Sequence, residues 1–295
     1  PPFQLLVLSF RLLFKPSPMT LQFRNTATAS LETFQPIEPG KVGMYVCGPT
    51  VYDYFHIGNA RPFVAFDVVR RYLEDRGYNV TFVQNITDID DKIIQRPREQ
   101  GVSAEQIAQT YTEAYREDLA ALGVKPASHN PAATGHVAEI IEMIATLIEK
   151  GLAYEAEGDV YFDLERFRTQ GGEYQLSGRK IEDLMSGASG RTDETVAARK
   201  RTPADFALWK AQKEPDEPAW AVPWSSTPGR PGWHIECSAM STSILGPTFD
   251  IHAGGEDLIF PHHENEIVQS EGATGKPFVN VWLHNAFLNI AKEDT

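Results

Sequence analysis

The sequence predicts an α/β fold with a parallel sheet, and three consecutive features support that prediction. The short apolar run at 42–47, bounded by glycine, is typical of a buried strand. A helix is predicted after the next loop and is expected to stop at Gly77. Its apolar face carries Phe63, Phe66, Val69 and Leu73. A second strand is predicted at 79–86, and this strand, loop, helix, strand order is a βαβ unit, which implies parallel strands.

The middle of the chain predicts two amphipathic helices and a hairpin. The first helix, at 104–122, has an apolar face that carries Ile107, Tyr111, Ala114 and Leu119. The second, at 137–149, has an apolar stripe of Val137, Ile140, Ile141, Ile144 and Ile148, which is more typical of core than of a binding face. Residues 152–163 alternate around Gly158 as a hairpin does. The segment 170–200, rich in Gly, Ser, Arg and Glu, is predicted to be a mobile surface loop.

Composition limits the class of function. The chain has 295 residues, 27 basic and 40 acidic, and a net charge of −13, which argues against a surface coated in basic charge for non-specific nucleic-acid binding. A local basic groove is still compatible with that balance. The chain has only two cysteines, which points to a reducing compartment, so we expect a cytoplasmic protein. No segment is predicted to span a membrane.

The first 18 residues are expected to be a non-native or disordered extension without a role. Their apolar run at 5–10 is too short to cross a membrane. Arg11 and Lys15 follow that run rather than precede it, which is the wrong order for a secretory signal. Met19, followed by polar residues, reads as a natural start.

The loop after the first predicted strand is a candidate nucleotide site. It leads into the helix through His56-Ile57-Gly58-Asn59. The N-terminus of a helix that follows a parallel strand binds anions, because its free N–H groups and its dipole face the ligand. Gly58 permits close backbone approach, and the ring of His56 can donate to phosphate oxygens. Spacing alone leaves open a loop with a merely structural histidine.

Both cysteines lie in segments that suggest a metal site. Cys47 ends the first strand, and Cys237 precedes a histidine-rich stretch in which His262 and Glu266 are four residues apart, on one face of a helix. Thiolates, imidazole and carboxylate are all good zinc ligands, and four of them complete a tetrahedral shell. His263 is an alternative ligand. A disulfide between the two cysteines, or two buried free thiols, would be the plain structural explanation.

Six segments resemble the cysteinyl-tRNA synthetase family of class I aminoacyl-tRNA synthetases. They read GPTVYDYFHIGNAR at 48–61, QNITDIDDKI at 84–93, DFALWK at 205–210, RPGWHIECSAM at 230–240, FDIHAGGED at 249–257 and FPHHENE at 260–266. The resemblance covers roughly residues 19–285. It implies a Rossmann-like catalytic domain whose parallel sheet is flanked by helices and interrupted by a connective insertion. The halves of that domain are expected at 19–125 and 203–295, with the insertion at 126–202.

The resemblance also implies the roles of particular residues. One Zn²⁺ would be held by Cys47, Cys237, His262 and Glu266. The substrate cysteine, with its thiolate on the zinc, would contact Gly48, Thr87, Trp233 and His252. ATP, with Mg²⁺, would contact His56, Gly58, Asn59 and Asp257. Of these, His56 and Asn59 are the expected catalytic residues, and catalysis would consist of positioning and charge stabilisation, without a protein nucleophile.

The implied reaction is ATP-dependent activation of L-cysteine to cysteinyl-adenylate, followed by transfer to tRNA(Cys). No obligate protein partner is expected. The family's second signature, of Lys-Met-Ser-Lys-Ser type, is absent from the sequence, so we expect a fragment with impaired activity. Two other functions stay open at this point. One is the related cysteine ligase of mycothiol synthesis, which needs no tRNA; the other is a non-catalytic zinc- and cysteine-binding module.

Overall fold

The computed structural model of the protein describes residues 20–185 and 198–289. Its strands are β1 Gln22–Asn25, β2 Ser30–Thr33, β3 Lys41–Val46, β4 Asn79–Gln84, β5 Ala153–Ala156, β6 Asp159–Phe162, β7 Phe206–Ala211, β8 Trp220–Val222, β9 Ser225–Pro231, β10 Phe249–Gly255 and β11 Val279–Asn285. Its α-helices are α1 Ile57–Asp75, α2 Asp91–Gln100, α3 Ala104–Ala121, α4 Val137–Glu149, α5 Leu164–Thr169, α6 Ile181–Met185, α7 Trp233–Leu245 and α8 Glu264–Thr274. The extension expected at 1–18, and the start expected at Met19, lie outside the described residues.

A four-stranded parallel sheet carries the candidate site. Its strand order is β11-β10-β3-β4, and every neighbouring pair is parallel. The unit β3-α1-β4 is the βαβ unit that the sequence predicts, so the predicted fold class is confirmed. Within the described chain, no helix is both long and apolar enough to cross a membrane.

Helix α1 begins and ends where local chemistry favours it. At its start, His56 accepts a hydrogen bond from the backbone N–H of Gly58 at 3.1 Å, and Asn59 accepts one from the backbone N–H of His56 at 3.3 Å. These reciprocal bonds satisfy N–H groups that the helix leaves free. At its end, Gly77 adopts a φ of +92°, which favours glycine and ends the helix. Three of the four predicted apolar residues are buried: Phe63, Phe66 and Leu73.

A second, antiparallel sheet of five strands has the order β5-β6-β7-β9-β8. Its first two strands are the predicted hairpin, with Ala153 opposite Phe162 and a positive φ at Gly158 in the turn. The remaining strands come from 206–231, beyond the predicted end of the insertion at 202. The strand pairing therefore does not follow the predicted division of the chain, which stays a prediction.

Two predicted helices are confirmed with small differences. Helix α3 buries Ile107, Ala108 and Tyr115 rather than the full predicted face. Helix α4 has the predicted bounds and packs against α7 and α8, which joins the antiparallel part of the molecule to the site. Its fully buried residues are Val137, Ile140, Ile144 and Leu147, while Ile141 and Ile148 are half-buried at its margin.

The prediction of a mobile surface loop at 170–200 is wrong for part of that segment. The buried carboxylate of Glu264 accepts hydrogen bonds from the backbone N–H groups of Gln175, Leu176 and Ser177 at 2.7–2.9 Å. Helix α6 follows and buries Ile181 and Leu184. A single acidic side chain from α8 thus holds this stretch in place, and local composition gives no sign of that contact. Residues 186–197 of the predicted loop lie outside the described chain.

Candidate metal centre and nucleotide cleft

The candidate site lies at the carboxyl edge of the parallel sheet. Cys47 directly follows β3, Thr87 lies shortly after β4, and Gly255 ends β10. The carboxyl ends of parallel strands meet at one edge, where open α/β sheets bind their ligands. The sheet therefore brings together segments that are about 200 residues apart in sequence, a separation that follows from the numbers of Cys47 and Gly255.

Helices α7 and α8 supply the other donors. Gly232 precedes α7 and lies so close to the backbone of Ala207 that a Cβ there would collide with the Ala207 carbonyl oxygen. This close approach sets α7 against β7 and places Cys237 in its second turn. Before α8, the chain makes a kinked turn over Ile259–His263, in which Phe260 is extended (φ −133°, ψ 129°) and the Phe260–Pro261 peptide is cis. His262 lies in that turn and Glu266 in the first turn of α8.

Four donors converge in the interior and form what we call the metal cluster: Cys47, Cys237, His262 and Glu266. Their ligand atoms all lie within 4.8 Å of one another, and all four residues are buried. Nε2 of His262 is 3.0 Å from Oε1 of Glu266, and Sγ of Cys47 is 3.8 Å from the same oxygen. Both cysteines are free thiols, so no disulfide joins them.

A second set of four shares two members with the metal cluster. It consists of Cys47, His252, His263 and Glu266, again within 4.8 Å of one another. Nε2 of His263 lies 3.3 Å from Sγ of Cys47, and Nε2 of His252 lies 2.9 Å from Oε2 of Glu266. The distance from His263 to the thiol of Cys47 would allow both to bind one metal ion. His252, which the sequence predicts to contact the substrate, is fully buried and contacts Glu266.

Opposite charges in the metal cluster stabilise one another and shift the pKa values of its members. Burial alone would raise the pKa of the Glu266 carboxyl, but the imidazoles of His252 and His262 lower it to about 2. Burial would lower the pKa of His262, but Glu266 and Cys237 raise it to about 10. A hydrogen bond from Cys47 lowers the pKa of Cys237 to about 6, whereas burial raises the pKa of Cys47 well above its usual value. Two thiols, one imidazole and one carboxylate in a buried shell are a donor set that suits Zn²⁺.

Aromatic and polar side chains hold the His262 ring in place. Trp233 stacks on it with ring centroids 4.2 Å apart and an interplanar angle of 21°. Nδ1 of His262 is 2.9 Å from Nδ1 of His234, whose backbone carbonyl accepts a hydrogen bond from Gln269. Outer contacts of this kind fix the orientation and tautomer of a ligating imidazole. Trp233 is 39% exposed, so it separates the buried cluster from the open cleft beside it.

Sequence reasoning missed a chain of hydrogen bonds that runs away from the shared thiol. Nδ1 of His263 is 2.7 Å from Nε2 of His284, and Nδ1 of His284 is 2.8 Å from the hydroxyl of Thr26. His234 was missed as the partner of His262. The only signal in the sequence is the density of histidine, since five of the eight lie between 234 and 284. Density cannot say which rings face one another.

A cleft of about 600 Å³ opens beside the metal cluster. The predicted site residues that line it are Cys47, Gly48, His56, Gly58, Asn59, Trp233 and Asp257. Gly48 donates its backbone N–H to the side chain of Asn85 at 2.8 Å, and a Cβ there would collide with the Asn85 carbonyl oxygen. Thr87 is buried beside this contact and accepts from the Asn85 amide at 3.3 Å.

The nucleotide loop, residues 48–59, is open where the metal cluster is closed. His56 and Asn59 are exposed, and each contributes one side-chain atom to the cap of α1. Asp257 is also exposed, in the turn that follows β10. The structure thus brings the four predicted nucleotide contacts into one cleft, and Trp233 lies between that cleft and the metal cluster, where it stacks on His262.

Comparison with known proteins identifies the family. Residues 33–295 match the family described as the tRNA synthetases class I (C) catalytic domain. The chain belongs to this family. The family inferred from the sequence motifs is therefore confirmed, and the parallel sheet is the sheet of a class I catalytic domain.

Curated relatives named cysteine–tRNA ligase align with most of this chain. A cysteine–tRNA ligase of Streptococcus pneumoniae serotype 4 is 56% identical over 270 residues, which are 92% of this chain and 59% of the relative. One from Symbiobacterium thermophilum is 59% identical over 273 residues, 92% of this chain and 56% of the relative. The chain thus spans little more than half the length of these relatives.

Solved structures confirm the fold alone. Mycobacterium tuberculosis methionyl-tRNA synthetase in complex with methionyl-adenylate matches with a TM-score of 0.60 and 14% sequence identity. The match covers 83% of this chain and 57% of that one.

Proposed function

We propose that this chain is the catalytic part of a cysteine–tRNA ligase, which activates L-cysteine with ATP and transfers it to tRNA(Cys) in the cytoplasm. The observation that carries this proposal is the contact between a buried cluster of two thiols, an imidazole and a carboxylate and an open cleft that contains the nucleotide loop. The names of the curated relatives support the same reaction.

The metal cluster would select the amino acid. When bound to these four donors, Zn²⁺ would accept the thiolate of cysteine as an additional, fifth ligand, a role that a serine hydroxyl fills poorly. Cys47, Cys237, His262 and Glu266 would hold the ion. Cys47 and Trp233 both line the cleft, so a substrate side chain in the cleft can approach the cluster directly. Trp233 and Thr87 would flank the substrate, and the backbone at Gly48, where no Cβ fits, would lie against it.

The nucleotide loop would bind ATP. The N-terminus of α1 would direct the positive end of the helix dipole towards the phosphates. His56 uses Nδ1 for the cap of α1, so its Nε2 can donate to a phosphate oxygen. Asp257, across the cleft, would bind the ribose, and Mg²⁺ would accompany the phosphates. These groups position the α-phosphate for attack by the cysteine carboxylate and stabilise the charge that develops there.

Calorimetry with L-cysteine, L-serine and L-alanine tests this function on zinc-loaded and zinc-free protein. Cysteine should bind the zinc-loaded chain more tightly than serine by more than the roughly 10–200-fold that one missing methylene gives. Removal of zinc should abolish the difference. A non-hydrolysable cysteinyl-adenylate analogue should bind more tightly than cysteine alone, because it also occupies the nucleotide loop. Equal binding of cysteine and serine to the zinc-loaded chain would refute the proposed selection.

A further inference from the structure

A short segment from the middle of the chain holds the region that carries His262. We call this segment, residues 174–179, the strap, and we call the kinked turn Ile259–His263 the kink. Glu264, the first residue of α8, is fully buried and accepts four hydrogen bonds from the strap at 2.7–2.9 Å. The donors are the hydroxyl of Ser177 and the backbone N–H groups of Gln175, Leu176 and Ser177. One carboxylate therefore joins the strap to the residue that directly follows the kink.

Burial makes the positions of the strap and the kink depend on one another. A buried carboxylate loses its hydration and needs hydrogen-bond donors in its place. At Glu264 the strap supplies those donors, and the first turn of α8 adds the favourable field of the helix dipole. Without the strap, the carboxylate would have to turn towards water. Because Glu264 directly follows the kink, that movement would displace the kink as well.

The strap also contacts the kink and its far end. The hydroxyl of Tyr174 donates to Oδ1 of Asn265 at 3.0 Å, just beyond the kink. The Tyr174 ring meets Phe260, near the start of the kink, edge to face with ring centroids 6.0 Å apart. The guanidinium of Arg179 lies 4.1 Å from the centroid of the same Phe260 ring. His262 thus lies between two positions that the strap holds.

A further contact places the strap beside the thiols. Leu176 is buried and belongs to the same apolar cluster as Cys47 and Cys237. Neither of the two sets of four candidate ligands in the described part of the chain includes a strap residue. The strap therefore packs around the metal cluster without supplying a ligand to it.

We propose that Glu264 is a positioning residue that, through the strap, fixes His262 in the conformation that binds the metal. Because the metal is part of the proposed function, this inference rests on that function. A donor segment with several conformations binds its ligand less tightly, in proportion to the fraction of molecules in the competent conformation. Outer contacts that orient a ligating imidazole contribute about 10–100-fold to metal affinity. By linkage, the bound metal should in turn hold the strap in place.

Zinc titration against a chromophoric chelator tests this inference on the 295-residue chain. Glu264→Gln keeps the shape of the side chain but replaces one acceptor oxygen with an amide group, which cannot accept from the strap. It should lower zinc affinity about 10–100-fold. Ser177→Ala removes one donor and leaves the backbone contacts, so it should lower zinc affinity about 2–10-fold.

Asp250→Asn is the matched control. Asp250 is also a buried carboxylate that holds a distant segment, since it accepts the backbone N–H groups of Ile37 and Gly43 at 2.7 and 2.8 Å. It lies near the amino end of β10, whereas the metal cluster lies at the carboxyl edge of the sheet. Asp250→Asn should lower the free energy of unfolding in urea but leave zinc affinity unchanged.

Two further readouts separate positioning from loss of stability. Co²⁺ in place of zinc reports the donor geometry through its visible absorption. At saturating Co²⁺ the spectrum should change in Glu264→Gln and should match the parent spectrum in Asp250→Asn. Hydrogen exchange reports the strap itself: zinc should slow exchange of the amides at 175–177 about tenfold or more in the parent chain, and should not do so in Glu264→Gln.

Three results would overturn the inference. They are an unchanged zinc affinity and Co²⁺ spectrum in Glu264→Gln, an equal loss of zinc affinity in Asp250→Asn and Glu264→Gln, and equal exchange of the strap amides with and without zinc in the parent chain. Each of them can occur while the parent chain binds zinc and selects cysteine over serine. Failure of this inference is therefore distinguishable from failure of the proposed function.

Discussion

The metal cluster and the nucleotide loop share one edge of the parallel sheet, but they are built in opposite ways. The cluster draws its four donors from the residue after β3, from α7, from the turn before α8 and from the first turn of α8, and all of them are buried. The nucleotide loop is one continuous segment whose key side chains, His56 and Asn59, are exposed and serve mainly to cap α1. One site offers buried side-chain donors, whereas the other offers the N-terminus of a helix in an open cleft.

Under the proposed function, this difference would let the two sites divide the work of selecting the amino acid and binding ATP. A closed shell with fixed donors distinguishes one atom from another, such as the sulfur of cysteine from the oxygen of serine. An open loop at a helix N-terminus would bind the phosphates of a nucleotide through the helix dipole and would not read the amino acid. Selectivity should therefore depend on the cluster, and the nucleotide loop should mainly set the affinity for ATP.

The largest expected effect is loss of zinc from the cluster. Cys237→Ser and His262→Gln should each lower zinc affinity by more than the 10–100-fold that loss of an outer partner costs. His263→Gln should retain zinc, because His263 belongs only to the alternative set with His252. Zinc per chain is measured by elemental analysis after dialysis against a weak chelator.

Ser243→Ala is the matched control for the zinc experiment. Ser243 lies on the same helix as Cys237, and its hydroxyl bonds only the backbone of Met240 among the contacts of the described chain. It should hold as much zinc as the parent chain. If Cys237→Ser retains zinc and His263→Gln loses it, the zinc site must be assigned to the alternative set of Cys47, His252, His263 and Glu266.

The next effect is a steep pH dependence of zinc binding. In the metal-free protein near neutral pH, Cys47 carries its proton because burial raises its pKa, and His262 is protonated because its pKa is about 10. Glu266, with a pKa of about 2, and Cys237, with a pKa of about 6, are already deprotonated. Zinc must displace the first two protons, so its affinity should fall about 100-fold for each unit that the pH falls.

Calorimetry of zinc binding in buffers of different ionisation enthalpy counts these protons. About two should be released per zinc at neutral pH. A value near zero would mean that the donors are already deprotonated in the metal-free protein, and would contradict the charge arrangement described for the cluster.

A smaller effect is expected at the nucleotide loop. In Gly58→Ala the new Cβ would lie 2.8 Å from Cε1 of His56, so the imidazole must move out of the cap of α1. ATP affinity should fall about tenfold, because the displaced ring no longer donates a hydrogen bond to the charged phosphate. Loss of the N-cap should separately lower the free energy of unfolding by about 1 kcal/mol. Selection of cysteine over serine should be unchanged. Calorimetry with ATP measures the fall in ATP affinity, and calorimetry with cysteine and serine measures the selection between them. A loss of selection of cysteine over serine in Gly58→Ala would show that the two sites are not independent.

The smallest effect concerns the ion pairs that join the start of α2 to the antiparallel sheet. Asp91, at the start of α2, forms ion pairs with Lys210 and Arg230. Burial would raise the pKa of Asp91, but Lys210 and Arg230 lower it below its ordinary value of 3.8. The stability from this carboxylate is therefore fully present above that ordinary value and is lost as pH falls through the lower folded-state pKa.

Asp91→Asn should lower the free energy of unfolding by about 0.5–1 kcal/mol at neutral pH, since the carboxylate is half exposed. At a pH below the ordinary value of 3.8 the difference should shrink. Urea unfolding at both pH values measures it, with Glu38→Gln, from the exposed pair of Glu38 and Lys41, as the control. If Asp91→Asn lowers the free energy of unfolding no more than Glu38→Gln does, the ion pairs of Asp91 with Lys210 and Arg230 add no stability.

Local sequence patterns predicted the parts of this structure that local contacts form. The βαβ unit follows from apolar periodicity and from a glycine stop, and α4 has the predicted bounds because its stripe of Ile and Val faces the core. The hairpin around Gly158 follows from alternation. None of these needs a partner distant in the chain.

Contacts between distant residues account for what local patterns could not predict. The strands at 206–231 join the hairpin sheet from more than 40 residues away, and Glu264 holds 175–177 from almost 90 residues away. Family resemblance named the four cluster residues, but it could not show that His263 and His252 approach the same thiol and carboxylate. Adjacent histidines at the kink before α8 can both point into the cluster, which simple helical spacing does not predict.

X-ray absorption at the zinc edge tests the central claim most directly, because it counts the sulfur atoms bound to the ion. The zinc-loaded chain should show two sulfur neighbours at about 2.3 Å with lighter atoms completing the shell. L-Cysteine should add a third sulfur, whereas L-serine should leave the spectrum unchanged. A shell with one sulfur, or a spectrum that cysteine does not change, would contradict the account of a cysteine-selecting zinc held by Cys47, Cys237, His262 and Glu266.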